Sequence, residues 1–447
     1  MRFQTTLVAN LVLGALGTAK ADDWPQWLGP NRDGVYREAG IVESIPDEGL
    51  PICWRVSIGK GYSGPAVAQD KVVVTDYVVE SGTSTNNPGG KDEISGRERI
   101  LCLDVSTGEM LWKHEYPCSY NMSFANGPRA TPTIQDGLVY VLGAEGNLTC
   151  LSLADGQVVW SKQLNIDFDG ETPFWGHAAH PLVRGDLLYV LTGGMDHLVV
   201  ALDRNTGEEI WHALSSEEMG YCPPTIISVD GREQLLIWHA TSLNSLDPDT
   251  GSLNWTYPLA PRYGMAIAAP RLFGRLLYVC GIGETAAMIE LDASGQPART
   301  LWTGKPKMGL YAGNGTPLFA DGMILGADCG VGFFAAIDPA DGRQFWTTFE
   351  LTTGGDRRAS HGTAFVVSHQ PYGQLTNRFF LFAETGELID AELTRESYKV
   401  RGRMRILEPT GTWDNRNIVW SHPAFSQQKI FARNDQEIVC VDLSATK

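Results

Sequence analysis

Six times this chain repeats one phrase: LDVSTGEMLW (103–112), LSLADGQVVW (151–160), LDRNTGEEIW (202–211), LDPDTGSLNW (246–255), LDASGQPARTLW (291–302) and IDPADGRQFW (337–346). Each holds a strand-length apolar piece, a turn closed by Gly, and a Trp on the strand that follows. Regular repetition governs the fold before any local motif does, because a unit too small to bury its own apolar face must stack on its neighbours.

The best-formed unit covers residues 130–164: ATPTIQ, a DG turn, LVYVLGA, an EGN turn, LTCLSL, an ADG turn and QVVWSKQL. Short apolar runs separated by tight-turn residues predict four antiparallel strands, and four such strands in sequence make one propeller blade. In the recurring turn, Asp can bond local backbone, Gly supplies positive φ, and Trp lies on the outer strand where its face meets the next blade. The Trp residues are therefore read as structural.

A seventh unit (GTAFVVSHQ, RFFLFAET, GELIDAEL, YKVRGRMRIL) keeps four strands but has neither the turn signature nor the Trp. The last unit supplies only SHPAFSQ, KIFARND and EIVCVDL. Its missing outer strand is predicted to be PICWRV (51–56), with Trp54 in the register of the repeat Trp. The expectation is an all-β, eight-bladed β-propeller over residues 51–447, its ring closed by the N-terminal strand completing the last blade. Such closure leaves no sheet edge open to aggregation.

Ahead of the propeller, residues 1–21 combine Arg2, an apolar stretch from 7 to 16 and Ala19-Lys20-Ala21, which predicts a signal peptide cleaved after Ala21. The stretch is too short to span a bilayer, so the chain is expected to be secreted or periplasmic, with residues 22–50 as an N-terminal arm. No Cys precedes Cys53 to carry a lipid. The net charge of −17, more acidic still once Arg2 and Lys20 are removed, argues against nucleic acid as a partner. Of the eight cysteines, Cys102, Cys150 and Cys440 take equivalent places in three repeats, which favours free, buried thiols.

Strand order puts the DG and Asp-Gly turns on one plain face. The blade-to-blade connections and second-to-third-strand turns share the other, where they converge on the mouth of the channel. Tyr62, Asn126, Arg129, Trp175, His177, His180, Tyr221, Tyr263, Tyr311, Asn314, His361, Trp413, Asp414 and His422 fall in those connections and are expected to ring a funnel. Aromatic walls with a few polar groups suit a small-molecule site. The tyrosines recur at similar offsets, so repeat packing stands beside ligand stacking. His177 and His180 have two nitrogens to offer but no accompanying ligand set for a metal. Arg129 suits either an anion clamp or a structural ion pair. Residues 80–99 read as an insertion on the same face: a lid, a partner-binding loop, or a disordered excursion.

The alternation of Leu-Asp, a turn ending in Thr-Gly and Trp four residues later resembles the pyrroloquinoline-quinone-like (PQQ-like) repeat of quinoprotein alcohol dehydrogenases and of the outer-membrane β-barrel assembly scaffold. WPQWLGPNRDG (24–34) and GKGYSGPAV (59–67) look like the opening of exported bacterial members. The dehydrogenase resemblance implies PQQ stacked on Trp, with Trp175 or Trp413 available, a calcium ion, and Asp414 as base. It also implies a disulfide between adjacent cysteines, which this chain does not have. The scaffold resemblance implies protein binding through exposed loops without chemistry. The expectation is a non-catalytic exported binding propeller, either a protein-binding scaffold or a ligand-binding module. A quinoprotein oxidoreductase and a glycan or small-molecule binder are the alternatives; no catalytic residue or metal ligand is assigned.

Overall fold

The computed structural model describes residues 22–445 and is an eight-bladed propeller; the expected signal peptide lies outside the described residues. Blades 1 to 7 occupy residues 66–122, 133–163, 182–213, 225–258, 271–303, 318–348 and 364–405, each with four antiparallel strands in chain order. Blade 8 takes its three inner strands, Ala424–Ser426, Lys429–Arg433 and Glu437–Asp442, from the C-terminal end. Its outer strand is Ile52–Ser57, paired antiparallel to Glu437–Asp442 with Trp54 opposite Cys440. The expected closure is thus present.

The repeated Trp and Gly are two halves of one inter-blade joint. Trp54 donates its indole N–H to the Val105 carbonyl of the next blade (2.9 Å), and Trp112 to Leu153 (2.9 Å). Trp160, Trp211, Trp255, Trp302 and Trp346 do the same to Arg204, Pro248, Gly295, Pro339 and Thr394. The glycine of the receiving turn lies flat under the ring. A Cβ on Gly108 would stand 2.8 Å from the Trp54 ring, and one on Gly156 2.5 Å from that of Trp112. These glycines also hold φ near +70°, where side chains are strained.

The joint between blades 7 and 8 has no indole. Gly402 stands opposite Asp390 after a bulge, the position that Trp112 takes opposite Cys102. A Cβ there would meet the Ile45 carbonyl oxygen at 2.2 Å, because the arm fills the space. Ile45 and Leu50 are buried in the core cluster, with Met404 packed against it. Residues 40–50 thus supply apolar cover that the degenerate blade does not carry itself.

The rest of the arm goes where strand reading gives no hint, into the central channel. Trp24 bridges to Val67 of blade 1, the Pro25 carbonyl accepts from Ile134 of blade 2, and Arg32 donates to Pro181 and Pro224 at the entries to blades 3 and 4. Arg271 of blade 5 donates to the carbonyls of Arg32 and Asp33 (2.8 and 2.9 Å). Val35–Tyr36 then pair in parallel with the inner strand of blade 7, making it five-stranded. WPQWLGPNRDG is a plug that contacts blade after blade. The arm pairs backbone groups that the blades leave open toward the axis: its carbonyls accept from Val67, Ile134 and Ser368, while its own groups donate to Val67, Pro181 and Pro224.

All eight cysteines are free thiols, and all but Cys53 are buried.

Candidate functional site

On the face opposite the DG turns lies one large cup of about 1280 Å³. Every blade-to-blade connection contributes to its wall, from Tyr62 through Arg129, Trp175, Tyr221, Tyr263, Asn314 and His361 to Trp413 and His422. The plug makes it blind: Trp27, buried on the channel axis, forms its floor. The Trp27 ring stacks on His180 (4.7 Å between centroids, 18°) and its N–H donates to His422 Nε2 (3.3 Å). His180 Nδ1 in turn accepts the Thr131 amide (2.8 Å). Both rings must be neutral to accept. Burial enforces this, lowering His422 to about 3 and His180 well below the ordinary histidine value, the latter also through His422 and Arg32.

Arg129 is fixed by its own loop. Its guanidinium donates to the carbonyls of Gly127 (2.6 Å), Ser123 (3.0 Å) and Phe124 (2.7 Å), and lies 5.4 Å from the Tyr62 ring centroid. Among the described residues no carboxylate forms an ion pair with it. Its partners in the structure are backbone carbonyls and the Tyr62 ring. Tyr62 meets Asn126 through a 3.0 Å bond, and the Tyr221 hydroxyl receives the Trp175 amide at 3.4 Å. The carboxylates of the lining, Glu171, Glu217 and Glu218, are exposed at the rim.

Four expected residues do not line the cup: Asn126, buried and bonded to Tyr62, and three more. His177 is fully buried behind the wall, its Nε2 3.3 Å from Asn165 and its titration lowered to about 4 by burial. It does not gather with His180 around a common point. Tyr311 turns into the core and donates to the carbonyls of Lys305 and Met308, so the packing reading holds for it. Asp414 sits exposed at the tip of a small hairpin, Gly411–Trp413 with Arg416–Ile418, outside the cup. A base role for it has no geometry. Tyr263 projects from the rim, 64% exposed.

The same hairpin positions Trp413. Arg416 pairs with buried Glu384 at 2.6 Å, and the Trp413 N–H donates to the Ser360 carbonyl at 3.0 Å. Sequence reading also missed Cys329, whose thiol lies 3.0 Å from His361 Nδ1 in the wall. Burial raises the thiol to about 12 and lowers His361 to about 4, the latter helped by Arg416. The pair is a neutral hydrogen bond, not an activated nucleophile.

Half of residues 80–99 is strand, which corrects the reading of a loop over the whole segment. Lys71–Ser81, Asp92–Asp104 and Met110–Met122 extend blade 1 upward as a ribbon. Its register is held by the Tyr77–Tyr120 stack (4.0 Å) over Ile94 and by Gly96, where a Cβ would strike the Val78 carbonyl at 2.2 Å. Alternating burial along ISGRER carries this, a period of two that a Gly- and Ser-rich composition hides. Only residues 82–91 form the tip. It overhangs the cup, where Pro88, Gly89 and Lys91 join the lining and Asn86 reaches Thr412 and Asn126.

The residues do not fit PQQ with calcium. Calcium takes six to eight oxygen ligands, whereas the floor offers imidazoles and indoles and the carboxylates stand at the rim. Among the described residues the one three-ligand group, His197, Glu209 and His212, lies on the side of blade 3, away from the cup.

The family model described as outer membrane protein assembly factor BamB matches residues 96–348, more than half of the chain. The chain is 28% identical to BamB of Salmonella typhimurium over 25% of its own length and 26% of that protein. It is 27% identical to the quinoprotein ethanol dehydrogenase of Pseudomonas aeruginosa over 46% of its length and 35% of that protein. These matches span less than half of each curated relative. Among solved structures, BamB from Moraxella catarrhalis superposes with a TM-score of 0.56 at 14% identity, covering 88% of this chain and 99% of that one. The quinohemoprotein alcohol dehydrogenase of Comamonas testosteroni gives 0.60 at 13%, covering 95% and 81%. At such identities the likeness is one of fold.

Proposed function

Because the chain belongs to the outer membrane protein assembly factor BamB family of PQQ-like propellers, we propose that it is a non-catalytic binding propeller, exported from the cytoplasm, whose blind cup is the binding site. The observation that carries this is the cup itself: rigid aromatic walls with one carboxylate-free Arg129 on them. Flat apolar faces stack on such walls, and a guanidinium locked by three carbonyls presents its remaining donors to an anion. A ligand with a ring face and an acidic group, such as a uronic-acid glycan, matches both. The funnel residues assigned in the sequence, with Asn126, His177, Tyr311 and Asp414 set aside, are its site residues.

Titration of the full chain with oligouronates and with neutral oligosaccharides, followed by Trp fluorescence, tests the reading. Saturable quenching by the acidic series is expected, weakened by Arg129→Met on the order of tenfold, the value of one charge-assisted contact. Equal response to both series removes Arg129 from the site. Stoichiometric uptake of PQQ with calcium, read as a quinone spectrum, overturns the non-catalytic reading.

A scaffold role is supported by a separate observation. Ile166 (80% exposed), Met195 (73%) and Tyr263 stand on the funnel side around the rim. Exposed apolar residues beside a concave site suit a protein partner, and BamB is described as an assembly factor.

A further inference from the structure

We propose that Cys53 and Cys440 are a modification site: they oxidise to a disulfide that covalently seals the ring where the N-terminal strand completes blade 8. The inference is independent of what the cup binds. Its ground is register. Ile52 pairs with Val441 and Trp54 with Cys440, so Cys53 is the extra residue of a bulge facing Cys440 across two adjacent antiparallel strands. The two thiols are near enough to interact, Cys53 being one of the groups that raise Cys440. Neighbouring strands lie about 5 Å apart, within the Cα separation a disulfide needs.

The same bulge recurs in the other blades with other occupants. Where Cys102 faces Trp112 and Cys150 faces Trp160, the bulged residues are Leu111 and Val159. Cysteine occurs there only at the seam, where an N-terminal strand supplies the outer, antiparallel strand of a blade formed by the C-terminal end. Elsewhere a covalent bond between third and fourth strands would close a hairpin of a few residues. Here it closes nearly the whole propeller, and a longer loop restricts the unfolded chain more.

Accessibility sets the order of events. Cys53 is exposed and Cys440 fully buried. The Cys53 thiolate attacks a disulfide oxidant of the glutathione class, forming a mixed disulfide and expelling one thiolate. Cys440 then loses its proton and attacks the Cys53 sulfur, releasing the second thiolate. Two electrons pass to the oxidant and two protons to solvent. Burial and the neighbouring Cys53 raise the Cys440 thiol, so this second step is slow.

The test uses the full chain, incubated with oxidised glutathione, then unfolded and alkylated under non-reducing conditions. We expect six alkylated cysteines, a cross-linked peptide pair carrying Cys53 and Cys440, and a melting midpoint higher by about 5 °C that dithiothreitol reverses. Cys53→Ser, at an exposed position, should abolish both cross-link and shift without disturbing the reduced fold; Cys102→Ala should keep both. Eight alkylated cysteines after oxidation, a glutathione adduct persisting on Cys53, or a cross-link between other cysteines would overturn the proposal.

Discussion

The floor of the cup depends on a neutral histidine, and acid should find it. His422 accepts the Trp27 indole N–H at 3.3 Å, so protonating Nε2 would set two donors against each other at the floor of the cup. Burial accordingly holds His422 at about 3 against an ordinary value of 6.5. Lowered folded-state affinity for the proton means that the unfolded chain alone takes one up as pH falls below 6.5. Stability is therefore complete above that pH and is lost progressively on acidification down to about 3. At pH 5 the loss from this one ring is about 2 kcal/mol, at about 1.4 kcal/mol per pH unit.

Other groups titrate in the same window. His177 and His361 add losses of the same sign, whereas the buried carboxyls Glu98 and Asp435, raised above their ordinary values, oppose them. A difference measurement separates His422 from this background. Urea unfolding of wild type and His422→Gln, which keeps an acceptor for Trp27, should be followed by fluorescence at pH 7.5 and pH 5. The wild-type advantage should shrink by about 2 kcal/mol between the two. An advantage unchanged with pH would mean that His422 is solvated or already charged, and the account of a neutral floor would be wrong.

Trp54→Ala should cost about 3–5 kcal/mol, since it removes a buried ring and its bond to Val105; a loss below 1 kcal/mol in denaturant melts would show that the seam does not depend on the indole. Gly108→Ala, 2.8 Å from that ring, should destabilise by about 2–3 kcal/mol, whereas Gly137→Ala, at φ +79° but with nothing within 4 Å, should cost only about 1 kcal/mol. Equal effects in thermal melts would locate the cost in backbone strain alone. Deleting residues 50–58 removes the outer strand of blade 8 and should abolish cooperative unfolding; a truncated chain that melts like the intact one would refute the closure.

Most of the fold was legible because a propeller writes itself locally. Each blade is a run of short strands and tight turns, and Asp, Gly and Trp recur wherever one blade docks on the next. Even the closing strand was readable, since Trp54 carries the same signal out of sequence order. The ribbon above blade 1 escaped because Gly, Ser and Asn suggested a loop while the alternation of Ile94, Gly96 and Glu98 spelled strand.

The site was legible only as far as topology reaches. Strand order alone sends eight connections to one face, so the sequence by itself determined the ring, its seam and the side on which a funnel must open. Which side chains face that funnel was decided by tertiary structure, because a connection has no fixed period to say which residue points inward. Tyr311 and Asn314 share one connection, yet the first bonds backbone in the core and the second faces the cup. The plug is the plainest case. Residues 24–36 carry no strong strand pattern, and their conformation is set by inner-strand groups and channel-mouth carbonyls that exist only once the blades have closed around them.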